Sequence, residues 1–61
     1  MVSVNYMILK TLKNAKIELD PQRKKNLAFY FMENASFTED KETFRLCIKA
    51  LKELKEVPFI V

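Results

Sequence analysis

The sequence contains no glycine and no histidine, a single cysteine, Cys47, and two prolines, Pro21 and Pro58. Without glycine it lacks the residue that hairpin turns, phosphate-cradling loops and β-bulges most often require, which favours helices joined by polar turns. Without histidine or a second cysteine, neither a disulfide framework nor an ordinary zinc site can staple the fold. The same absences remove the commonest catalytic base, and the carboxylates, lysines, tyrosines and lone thiol that remain form no recognisable nucleophile–base pairing. Glu39, Asp40 and Glu42 lack the alternating oxygen ligands and the glycine of a calcium loop, and they read as acidic residues favouring a helix start. No catalytic residue, metal, cofactor or small-molecule substrate is therefore expected. No apolar run approaches the roughly 18 residues of a membrane span, and the first residues lack a basic leader and a cleavage site. No membrane partner is expected, and one unpaired cysteine suits the reducing cytoplasm.

What the chain has instead is apolar content of 49%, with five phenylalanines and two tyrosines in 61 residues. A single domain spanning 1–61 is expected. A chain this short buries only about 60% of the surface it exposes when unfolded, so dense helix packing or self-association must stabilise it, and a homo-oligomer is expected. The net charge of +3 lies within the first two thirds of the sequence, a mild bias compatible with an anionic partner.

The predicted fold is mainly α, with three short helices over about 3–14, 20–34 and 37–56. Val4, Met7, Ile8, Thr11, Leu12 and Ala15 recur at helical spacing and are the expected core row of the first helix, with Ser3 as its N-cap and Asn14 able to take the left-handed conformation at its end. Residues 15–19 alternate polar and apolar and read as either a short strand or an extended linker. Asp20 followed by Pro21 gives the clearest boundary, an N-cap and a first helical residue. Ser36 with Glu39 fits a capping box for the third helix, whose expected core row is Phe44, Cys47, Ile48, Leu51 and Leu54. Pro58 closes that helix and leaves an apolar C-terminal tail.

Two runs point to binding. Six consecutive apolar residues, Leu27 to Met32, would cover almost the whole circumference of the second helix, so it should be buried as the central helix or leave a flank outward as an interface. Phe29, Tyr30, Met32, Phe59 and Ile60 are the expected partner interface. Arg23, Lys24 and Lys25 place three cations where a helix N-terminus prefers acids, so an anionic group docked there would offset the repulsion. Cys47 lies on the predicted core row and reads as a small buried hydrophobe. Together these features describe a small non-enzymatic regulatory or adaptor protein that works through a protein–protein interface.

The order of alternating segment, capped helix and second helix between Lys16 and Leu54, with the rhythm Phe44-Arg45-Leu46-Cys47-Ile48, resembles the ribbon-helix-helix DNA-binding repressors over about two thirds of the chain. That resemblance implies an alternative, a dimeric transcriptional regulator whose paired strands enter the major groove. Ile17 and Leu19 would then be core and Lys16 would reach bases, while Lys10, Lys13, Arg23, Lys24 and Lys25 would meet phosphates.

Overall fold

A computed structural model describes residues 2–57, and within them the chain forms three helices, α1 (Val2–Asn14), α2 (Pro21–Phe37) and α3 (Lys41–Leu54). The expected mainly helical architecture is present. The C-terminal tail, with Phe59 and Ile60, lies outside the described residues.

The boundary of α2 forms as its local chemistry dictates. Asp20 stays extended and its carboxylate accepts from the Arg23 backbone N–H at 3.0 Å, while Pro21 fills the first helical position. Replacing Asp20 with alanine is expected to cost about 0.5–2 kcal/mol of stability. Thermal denaturation would register this as a lower Tm.

The far end of α2 differs from expectation, since the helix continues past Asn34 to Phe37. Asn34 and Ser36 explain the extension, because each turns its side chain back onto its own helix. The Asn34 amide donates to the Tyr30 carbonyl at 2.8 Å and the Ser36 hydroxyl to the Met32 carbonyl at 3.1 Å. Ser36 therefore caps nothing, and Asp40 is the N-cap of α3. Its carboxylate accepts from the Thr43 hydroxyl at 2.6 Å and from the Thr43 backbone N–H at 3.1 Å.

The end of α1 shows how a chain without glycine closes a helix. Lys16, with φ 56°, takes the left-handed position expected at Asn14. Its N–H reaches the Lys13 carbonyl at 3.1 Å and the Ile17 N–H reaches the Leu12 carbonyl at 3.0 Å, the paired bonds of a Schellman turn. Ser3 falls inside the helix, which has already begun at Val2. Residues 15–19 form no strand. Of the pair expected to be core there, Leu19 is buried and Ile17 is exposed.

The central helix is α3, not α2, for α3 packs against both of its neighbours. Its contact face is built on Cys47 and Ala50, both fully buried, whose small side chains allow close approach. Leu54 joins them, while Phe44 is exposed and Ile48 and Leu51 are half-buried. Tyr6 and Leu9 enter from α1, Phe31 from α2, and Leu19 and Val57 from the segments outside the helices.

The orientation of α1 is reversed relative to the expected row. Val4, Met7, Ile8 and Thr11 are exposed, and Tyr6 and Leu9 on the opposite side are buried, with Val2 and Leu12 beside them. At about 100° per residue both rows satisfy a helical period, so the sequence offers α1 two apolar faces. Lys13 favours the observed one, since it lies on the buried side and meets Glu56 at 2.6 Å and Glu53 at 3.7 Å across the α1–α3 contact.

Candidate functional site

Of the expected interface residues, the structure brings Phe29 and Met32 together on the outer side of α2, 54% and 51% exposed. Their separation of three residues puts them on neighbouring turns of one flank. Lys25 joins them, its ammonium lying 5.7 Å from the Phe29 ring centroid. Tyr30 points elsewhere. It is half-buried, meets the Phe31 ring edge-on at 5.3 Å, and borders a separate hollow with Ile8, Leu12 and Leu27 between α1 and α2.

The basic cluster divides as well. Arg23 is exposed and lies 3.6 Å from its own cap, Asp20, which partly neutralises it. Lys24, expected at the surface, is only 9% exposed and donates from Nζ to the Val57 carbonyl at 2.6 Å. Its stem covers apolar surface and its charge ties the start of α2 to the residue beyond α3. Lys25 and Lys16 are exposed, Lys16 on the Schellman turn and not on a strand.

Sequence reasoning did not find the groove beside Met32. It lies between α2 and α3, has a volume of about 670 Å³, and is lined by Pro21, Lys24, Lys25, Ala28, Met32, Leu51, Leu54 and Lys55. On α2 its wall is the row Pro21, Lys25, Ala28, Met32, and on α3 Leu51 and Lys55 continue a row begun by Phe44 and Ile48. Both rows follow the spacing i, i+4, i+7, i+11. The signal was present in the sequence as the second apolar flank of each helix, but it becomes a site only when the two helices lie side by side.

Several groups titrate away from their ordinary values. Burial raises the Cys47 thiol above 9.0, which keeps it protonated and unreactive at neutral pH. Tyr6 is raised above 10.0, first by burial and then by the neighbouring Glu53 carboxylate. The Tyr6 hydroxyl and Glu53 Oε2 are buried, and neither closes a well-formed hydrogen bond among the described residues. Lys13 is raised above 10.5, chiefly by its hydrogen bond to Glu56. All three groups hold their protons more tightly when folded, so the stability they contribute is complete below their unfolded values and is lost as pH rises through the folded ones. Asp40 is lowered below 3.8 by its hydrogen bonds from Thr43, first the hydroxyl and then the backbone N–H, and its contribution is lost as pH falls. The Tm is expected to decline above about pH 9 and again below about pH 4. A Tyr6→Phe variant should lose less at the alkaline end and be no less stable at neutral pH, because an unpaired buried hydroxyl is removed.

Among the described residues no group of three or more Cys, Asp or Glu side chains could hold a metal ion, and no helix is long and apolar enough to cross a membrane. No protein-family model, no curated protein sequence and no solved structure matches the chain.

Proposed function

We propose that this chain is a non-enzymatic protein-binding module, a small regulator or adaptor whose working surface is the flank of α2 carrying Phe29 and Met32. The observation that supports it is the apolar surface left uncovered when the three helices pack. Phe29, Met32, Phe37 and Phe44 are all exposed, with Phe37 at 79%. Large exposed apolar and aromatic side chains bordered by charge are what protein interfaces use. Lys25 supplies that charge beside the patch and would steer an acidic partner toward it, whereas Arg23 lies on the α1 side of the helix. With Cys47 as a buried free thiol, a reducing compartment is its proposed place of action.

Affinity capture from native extract, with and without nuclease, tests the reading. The wild-type chain should retain a protein that survives nuclease. A Phe29→Asp, Met32→Asp variant should lose that protein while its circular dichroism is unchanged, since neither side chain belongs to the buried core. Retention of nucleic acid alone, released by nuclease, would replace this reading with the DNA-binding one. Self-association is part of the proposal, and light scattering at a mass of one chain would remove that part.

A further inference from the structure

The α2–α3 groove carries the protein-binding reading one step further, to the chemistry of the partner. Its floor is apolar, built from Ala28, Met32, Leu51 and Leu54, and no acidic residue lines it. Lys25 and Lys55 stand together at one end. Neither has an ion-pair partner among the described residues. The amino end of α2 lies at that same end, with its first turn already capped by the Asp20 carboxylate, so the two lysines carry the positive potential there. The groove is therefore greasy along its length and unneutralised at one extremity. α2 lines the groove over about three turns, Pro21 to Met32, or about 16 Å, and α3 over its last turn, Leu51 to Lys55, which makes a channel that takes a short third helix by ridge and groove.

We propose that this groove receives an amphipathic helix of a protein partner, with carboxylates at the end that meets Lys25 and Lys55. The proposal rests on the protein-binding reading above and names the partner's chemistry. A second copy of this chain fits less well on charge. The exposed apolar row available for donation, Val4, Met7 and Ile8 on α1, sits on a helix with no acidic residue and with Lys10 in exposed position. It would bring a cation toward two cations. A small anionic amphiphile fits less well on shape, because the groove is open to solvent and could not enclose a ligand as a small-molecule pocket does.

A display library of helical peptides, randomised in sequence and selected on the whole chain, tests this without presuming a partner. Enriched peptides should carry apolar residues at i, i+4 and i+7 with Asp or Glu clustered at one end. By fluorescence anisotropy, a K25E/K55E variant of unchanged helicity should bind such a peptide about tenfold more weakly, the effect of two partly exposed ion pairs reversed in sign. A peptide with its acids changed to lysine should regain the loss on that variant. Met7→Glu, on the outer row of α1, should change nothing. Selection of neutral or basic helices, indifference to K25E/K55E, or loss of binding with Met7→Glu would each overturn the proposal. So would tighter occupancy of the groove by dodecanoate, or a dimer in light scattering that the peptide dissociates. If neutral or basic helices are selected and Met32→Glu displaces them, the protein-binding reading stands and only the acidic chemistry falls. If selection yields nothing and native extract leaves no protein on the chain, both fall.

Discussion

Replacing Phe31 with alanine is expected to abolish the cooperative unfolding transition. Phe31 is the largest fully buried side chain among the described residues. Removing a ring from such a site costs about 3–5 kcal/mol, through lost transfer energy and the cavity left behind. At about 0.05–0.15 kcal/mol per residue, a chain of 61 residues has in total only about 3–9 kcal/mol of stability. The loss is thus a large part of the whole and in the lower range exceeds it. Urea titration followed by circular dichroism should show a non-cooperative slope or a midpoint near zero denaturant. Phe31→Leu, which keeps most of the volume, should retain a transition at a lower midpoint. A Phe31→Ala protein that still melts cooperatively within about 1 kcal/mol of the parent would mean the core is not centred on this ring.

The second large effect belongs to Lys24. Its Nζ donates to the Val57 carbonyl across 33 residues of sequence, and both residues are buried. A hydrogen bond from a charged donor contributes about 1.5–3 kcal/mol, and deleting the donor leaves a buried carbonyl unpaired. Lys24→Met keeps the apolar stem and removes only the ammonium. Relief of the desolvated charge offsets part of the loss, so a net destabilisation of about 1–2 kcal/mol is expected. Lys25→Met, at an exposed neighbour, should stay within about 0.5 kcal/mol of the parent. Equal midpoints for the two variants in urea would show that the Lys24 bond contributes nothing to the folded state.

Particular residues show what the sequence could and could not disclose. Asp20 and Pro21 act through bonds to their immediate neighbours, so their effect is legible locally and the helix begins where they place it. Cys47 is legible because a lone thiol between apolar neighbours reads as a small hydrophobe, although Phe44 on the same expected row is exposed. The extension of α2 to Phe37 was hidden because Asn34 and Ser36 can either end a helix or bond back into it, and composition does not distinguish the two. The face of α1 was hidden because it has two apolar rows, and the observed one is favoured by Glu53 on α3 and Glu56 just beyond it, some forty residues away. Lysine is rarely buried, so sequence alone places Lys24 at the surface, and its bond to the Val57 carbonyl, 33 residues away, is set by the fold. The candidate site follows the same division. Phe29 and Met32 were legible as surplus apolar surface on one helix, whereas Leu51 and Lys55 share a groove with Met32 only through tertiary packing.

The position of Cys47 also makes the molecule its own stopwatch. A thiol reagent can reach that sulfur only in the moments when the bundle parts, so the rate of its alkylation counts openings and not collisions. Labelling at neutral pH should then be slow and set by the frequency of separation, and any ligand that clasps α2 to α3 should slow it further.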